Sequence, residues 1–99
     1  MFTWLNKQGV RSERGFEVQF TGRFDAEYRE ERKCVSFQVE AGLSGGLQCI
    51  IVDPHIFEHW DGGAVVENIS PLQQSQMFQN LREAMEFQGL KLVVEKAES

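Results

Sequence analysis

The segment His55-Ile-Phe-Glu58-His59 contains the residues of this sequence whose types and spacing could perform chemistry. It matches the arrangement in which inverted zinc proteases hold zinc with two histidines and activate water with a glutamate. That chemistry requires both histidines on one face of a helix, a third protein ligand and a cleft. A separate possibility is a plain two-histidine metal site that recruits Asp53 or Asp61. Gly62-Gly63 would end a helix starting at Pro54 within a few turns. A small metal-binding hydrolase using His55, Glu58 and His59 is therefore an alternative hypothesis, and ordinary loop hydrogen bonds are the simpler interpretation.

The same part of the chain is acidic and carries one large aromatic residue. From Asp53 to Glu67 there are four acids and no lysine or arginine. Tryptophan is frequent among the residues that dominate binding energy at interfaces, and Trp60 lies here among polar neighbours. We therefore expect an exposed partner-binding surface in which charge speeds encounter and the ring provides buried contact. Its predicted residues are Asp53, Glu58, Trp60, Asp61 and Glu67. The alternative is that Trp60 folds back onto the sheet or the helix.

The whole chain is acidic as well. Among its 99 residues, 15 aspartates and glutamates outnumber 10 lysines and arginines, for a formal net charge of −5. Binding to nucleic acid needs basic groups facing phosphates, so we predict no nucleic-acid partner and expect a basic protein instead. The length fits a single domain over residues 1–99. Apolar runs are far shorter than the ~20 residues that span a bilayer, so we predict no membrane partner.

The two cysteines and the opening residues bear on the compartment. Cys34 and Cys49 both lie in apolar runs, which favours buried reduced thiols over a disulfide framework. The first residues do not form a secretory leader with basic and apolar regions. We therefore expect a cytoplasmic protein. No motif predicts a cofactor, and the sequence leaves monomer and homodimer both open.

Alternating apolar residues predict strands in the first half of the chain. Phe16, Val18 and Phe20 alternate with polar residues, and Val35, Phe37 and Val39 do the same after a charged hairpin tip. Gly22 indicates a bend or bulge between strands. A turn is predicted over Gly42–Gly46. The apolar run Leu47–Val52 predicts a central strand that is covered on both faces, and Ala64–Val66 is a candidate short strand.

A long helix from Pro71 to about Gln88 is the clearest predicted element. Ser70 is a favourable N-cap with Gln73 in the capping-box position, and Gly89 suits a left-handed C-cap. The periodicity places Met77, Leu81 and Met85 on the buried side, among others, and Asn80 on the solvent side. Leu90–Glu95 predicts a last strand. The predicted fold class is α+β, with a mainly antiparallel sheet, one long C-terminal helix packed on one face, and a final strand.

The second half of the chain also carries a pattern of known type. Trp60-Asp61 is followed by Ile69-Ser70-Pro71, and the helix and strand continue with Phe78, Leu81, Ala84, Met85, Phe87, Gly89, Leu92 and Val94. Over residues 50–94 this pattern resembles a family of small immunity proteins from bacterial polymorphic toxin systems. The family often has a proline shortly after the tryptophan, where this chain has Gly62-Gly63. The resemblance implies a non-catalytic antitoxin that binds its cognate protein toxin tightly in the producing cell.

The leading prediction is thus a toxin-neutralising immunity protein, not an enzyme, that occludes a basic toxin domain such as a nuclease. The alternatives are the metal-binding hydrolase and a non-catalytic oligomeric adaptor that associates through a sheet edge or the helix. Charge alone supports the basic character of the toxin, because complementary fields favour such pairs.

Overall fold

A computed structural model describes residues 2–62 and 67–95 of the chain. Its first sheet is an antiparallel meander in which each strand pairs with the next one along the chain. The strands are β1 (Phe2–Asn6), β2 (Gly9–Ser12), β3 (Phe16–Phe20), β4 (Asp25–Glu30) and β5 (Lys33–Gln38). Gly22 lies in the bend between β3 and β4, where the amides of Thr21 and Gly22 both face the Asp25 carbonyl. The predicted strands around Val18 and Phe37 are confirmed.

A second sheet contains the predicted central strand. β6 (Glu40–Ser44) pairs antiparallel with β7 (Leu47–Val52), and β10 (Lys91–Val94) pairs with β7 on its other side. β10 runs parallel to β7, because the chain returns to the same end of the sheet through the long helix. The turn over Gly42–Gly46 is shorter than predicted: Gly42 lies inside β6, and Gly45 and Gly46 make the turn with φ angles of 59° and 84°.

The helix α1 (Pro71–Phe87) begins and ends where its capping residues predict. The Ser70 hydroxyl accepts a hydrogen bond of 3.2 Å from the amide of Gln73, which satisfies one free N–H of the first turn. At the other end Gly89 has a φ of 81°. Its position lets the Leu90 amide donate to the Met85 carbonyl at 2.9 Å, which closes the helix in a Schellman arrangement.

The core lies between the helix and the inner faces of the two main sheets. The helix packs against β10 and β3, and its buried side contains Met77, Leu81, Ala84 and Met85. The placement of Asn80 on the solvent side was wrong, because this side chain is only 6% exposed. Its amide donates to the Tyr28 hydroxyl at 2.9 Å, so the buried polar group has a partner inside the core.

These elements give the predicted α+β class: mostly antiparallel sheets, one C-terminal helix packed against strands, and a final strand. A two-residue pair, β8 (His59–Trp60) with β9 (Glu67–Asn68), forms a third small sheet beside β5. No helix in the described part of the chain is long and apolar enough to cross a membrane. The predicted short strand at Ala64–Val66 lies outside the described residues.

Candidate functional site

The segment after β7, residues 53–62, forms one wall of the candidate site. The Asp53 carboxylate accepts a hydrogen bond of 2.8 Å from the His55 amide, so the chain turns directly after the strand. Residues 54–57 continue as turns, and β8 follows. His55 and His59 are therefore not on a common helix face, which the protease motif requires. Gly62 has a φ of 82°, and Gly63 lies outside the described residues.

Two aromatic side chains of this segment point inward. The Phe57 ring is fully buried, with its centroid 5.3 Å from that of Tyr28, 5.6 Å from that of Phe37 and 4.9 Å from that of Phe78. Trp60 is only 5% exposed, so the expectation that its ring forms an exposed contact surface is wrong. Burying these two rings stabilises the segment against the core and directs the polar residues between them toward solvent.

Backbone hydrogen bonds explain the inward position of Trp60. The Asp61 amide donates to the Cys34 carbonyl of β5 at 2.8 Å, and the Ile69 amide donates to the Glu58 carbonyl at 2.9 Å. Trp60 is therefore held between β5 and β9, and the Lys33 ammonium lies 5.7 Å from the centroid of its ring. The sequence does not reveal this, because the adjacent residues His59 and Asp61 are polar and point away from the Trp60 ring in an extended segment.

The four predicted acidic residues are exposed or half-buried, and each has a local partner. The Asp61 carboxylate accepts from the Ser36 amide at 2.6 Å, and the Asp53 carboxylate caps the turn at His55. Glu58 lies 3.0 Å from the His55 ring nitrogen Nδ1. Glu67 forms an ion pair with Lys33. The sequence thus predicts the exposure of these acidic side chains correctly, but each of them already makes a hydrogen bond or an ion pair with a neighbouring residue.

A groove of about 360 Å³ separates β5 from segment 53–61. It brings together two of the five predicted residues, Asp53 and Asp61, and both histidines. Glu58 does not line the groove but contacts His55, which does. Trp60 and Glu67 do not line the groove either. No lysine or arginine is among the lining residues, which are Val35, Ser36, Phe37, Gln38, Asp53, His55, Ile56, His59 and Asp61.

The histidines do not complete a metal site in the described residues. Within residues 2–62 and 67–95, no three or more histidine, cysteine, aspartate or glutamate side chains lie close enough together to hold a metal ion. Cys34 is half-buried and Cys49 is buried, and both are free thiols. The polar lining residues of the groove provide carboxylates, imidazoles, a hydroxyl, a carboxamide and backbone groups, and the carboxylates suit hydrogen bonds and ion pairs with a cationic ligand.

Sequence reasoning missed two contributors to the site. Phe57 occupies a variable position of the His-x-x-Glu-His pattern, and its signal is that an apolar residue in a polar loop is typical of an inward anchor. Ser36 and Gln38 belong to a predicted strand, but the sequence does not indicate that the outer edge of this strand forms a wall of the groove. Alternation predicts which face a side chain takes, but it does not predict which strand lies at the end of a sheet.

Comparison with known proteins does not identify the function. The chain matches no family model, no curated protein and no solved structure. The resemblance over residues 50–94 therefore stays a prediction.

Proposed function

We propose that this chain is a toxin-neutralising immunity protein that acts in the cytoplasm, without catalysis, by binding and occluding a basic toxin domain. The observation that carries the proposal is the groove beside β5, which Asp53 and Asp61 both line and whose lining residues include no lysine or arginine. Such a site favours a cationic protein surface and disfavours nucleic acid. The resemblance to immunity proteins supplies the toxin as the partner.

Local contacts leave the acidic groups available to a partner. Ion pairs at exposed positions contribute only about 0–1 kcal/mol, so a toxin lysine or arginine can replace Lys33 beside Glu67 at small cost. The Asp61 carboxylate uses one oxygen for the Ser36 amide, and a carboxylate accepts about four hydrogen bonds in total. The existing bond holds the carboxylate in place before binding, which reduces the entropy lost in the complex.

Occlusion of a basic groove explains how a small protein would neutralise a nuclease. A nuclease uses basic residues to hold phosphates, and an acidic surface competes for the same residues. The net charge of −5 accelerates encounter with such a toxin. Trp60 contributes indirectly, because its burial leaves the adjacent His59 and Asp61 exposed on the opposite face of the segment.

A growth experiment tests the proposal. The proposal expects a large secreted protein to be encoded beside this chain, and the C-terminal domain of that protein is expressed alone and together with the chain. The proposal predicts arrested growth for the domain alone and restored growth for the pair. Absence of such a neighbour, or a toxic domain that the chain neither binds nor neutralises, contradicts the proposal.

A matched pair of variants locates the binding site in the same experiment. Asp53→Asn with Asp61→Asn removes two charges from the groove and keeps oxygen acceptors for His55 and Ser36, so the fold is retained and neutralisation is lost. Glu13→Gln with Glu86→Gln makes the same change in net charge outside the groove and retains neutralisation. Equal loss in both variants would contradict a specific role for the groove.

A further inference from the structure

The outer edge of β5 carries backbone groups that β4 does not use. In an antiparallel pair, alternate residues direct both their N–H and C=O groups toward the same neighbour. The Asp61 amide bonds to the Cys34 carbonyl and the Ser36 amide bonds to Asp61, so Cys34 and Ser36 face away from β4. Two residues further, Gln38 must do the same, and the Val39 amide again faces β4 through its bond to Phe24.

Three of these groups have no hydrogen-bond partner among the described residues: the Ser36 carbonyl and the amide and carbonyl of Gln38. Both residues line the groove with Asp53 and Asp61. An open edge of this kind is a template for pairing with another extended segment.

The sequence explains why the outer edge of β5 is not paired along Ser36–Gln38. The β6–β7 pairing matches Glu40 with Ile51, and its continuation would match Gln38 with Asp53. Asp53-Pro54 ends the strand instead, because proline has no N–H for a ladder and Asp53 turns the chain toward His55. Segment 53–61 contacts β5 again where the Asp61 carboxylate accepts from the Ser36 amide. The part of β5 between this contact and Asp53 is therefore left without a neighbouring strand.

We infer that this stretch, Ser36–Gln38, binds an extended basic segment of the partner by strand addition; this deepens the proposed function and rests on it. The backbone groups of β5 provide affinity without reference to sequence, and the pairing places alternate side chains of the added segment on one side. Lysine or arginine side chains there meet Asp53 near one end of the stretch and Asp61 at the other. The groove volume of about 360 Å³ suits a stretch of only a few residues.

Amide hydrogen exchange in the free chain tests the first requirement. The Gln38 amide is expected to exchange rapidly, like other solvent-exposed amides, whereas the Phe37 amide, which faces β4, is expected to be protected. A Gln38 amide as strongly protected as Phe37 would overturn the inference, since the edge would already be paired.

A peptide titration followed by amide NMR shifts tests the second requirement. The probe is a heptapeptide of alternating lysine and valine, and the control is the same peptide with glutamate in place of lysine. The lysine peptide is expected to shift and protect the Gln38 amide, and the glutamate peptide is expected to leave it unchanged. Asp53→Asn with Asp61→Asn is expected to weaken binding at least tenfold. Shifts confined to other surfaces, or no shift at Gln38, would overturn strand addition.

Substitution of Gln38 separates strand addition from the proposed function. Gln38→Pro removes the outward N–H without touching a bond to β4, and proline is tolerated at strand edges; Gln38→Thr keeps the N–H. With thermal unfolding confirming that both fold, the proline variant is expected to bind the toxin domain about 2–12-fold more weakly than the threonine variant. Equal affinities would refute strand addition and leave the immunity function standing. A toxin domain that binds neither the variants nor the wild type refutes the proposed function. The peptide titration then still decides whether the edge of β5 accepts an added strand.

Discussion

Tyr28 and Asn80 form the only polar pair among the large buried side chains of the helix–sheet interface in the described part of the chain. The Asn80 amide donates to the Tyr28 hydroxyl, which in turn lies 3.3 Å from the Glu30 carboxylate. Burial raises the pKa of Tyr28 well above its ordinary value, and the hydrogen bond from Asn80 opposes only part of that rise. The folded state therefore holds the phenolic proton more tightly than the unfolded state.

This shift predicts a loss of stability in alkaline solution. The contribution is fully present below the unfolded pKa near 10 and is lost as the pH rises toward the folded pKa, by about 1.4 kcal/mol per pH unit. Tyr28→Phe is expected to destabilise the protein by about 1–3 kcal/mol at pH 7, because the Asn80 donor loses its partner. Above pH 10 the difference between the two proteins is expected to narrow. Urea unfolding at several pH values measures the difference in unfolding free energy between the wild type and Tyr28→Phe. A difference that stays constant above pH 10 would contradict a raised pKa of Tyr28.

Phe57 provides a second prediction at the residue scale. Phe57→Ala removes a fully buried ring that contacts three other rings, so we expect a loss of about 3–5 kcal/mol and weaker partner binding through a disordered groove wall. Phe24→Ala is the control, because Phe24 is exposed and its removal is expected to change stability by less than about 0.5 kcal/mol. Similar losses in both variants would show that segment 53–61 is not anchored by Phe57.

At the scale of elements, the end of α1 depends on one backbone conformation. Gly89 has a φ of 81°, and a Cβ added there would meet no atom within 4 Å, so only backbone strain opposes a side chain. Gly89→Ala is therefore expected to cost about 1–2 kcal/mol in urea unfolding. Gln79→Ala, on the exposed side of the same helix, is expected to have little effect. A neutral Gly89→Ala would contradict the C-cap assignment.

The elements that the sequence predicts well are those with local signals. The capping residues predict α1 to within one residue, and the apolar run predicts β7 as a central strand. The parallel pairing of β10 has no local signal, because it depends on the path of the chain through the helix. The buried position of Asn80 also escapes prediction, since its partner Tyr28 lies 52 positions away. Trp4 lies in edge strand β1 against Phe87 and is half exposed, which its sequence neighbours do not indicate.

For the candidate site, the sequence predicts the segment and its charge but not the orientation of its aromatic ring. The four acids stay at or near the surface, as charged groups do. Trp60 turns inward, because the β5 and β9 contacts that cover it come from distant parts of the chain. Local polarity therefore indicated an acidic surface correctly and an exposed tryptophan wrongly.

At the scale of the whole molecule, the net charge of −5 makes a prediction about kinetics. If a basic toxin is the partner, the association rate constant is expected to fall by about tenfold or more between low and high salt, because salt screens long-range steering. The dissociation rate constant is expected to change less. Stopped-flow measurements at several salt concentrations give both, and an association rate that is independent of salt would contradict electrostatic steering.

The alternative of an oligomeric adaptor belongs to the same scale. Large exposed apolar side chains occur outside the groove, including Trp4, Leu43, Leu47 and Leu72. Light scattering at several protein concentrations measures self-association through such surfaces. A dimer is compatible with the proposed function as long as the groove stays open, and occlusion of Gln38 in the dimer would contradict strand addition at β5.

Amide hydrogen exchange of the chain, mapped with and without a toxin domain that it neutralises, tests binding at the groove most sharply. Added protection is expected to concentrate in β5, at Ser36 and Gln38, and in residues 53–61. Protection that appears around Trp4 and Phe87 instead, with the amides of β5 and of residues 53–61 unchanged, would contradict binding at the groove.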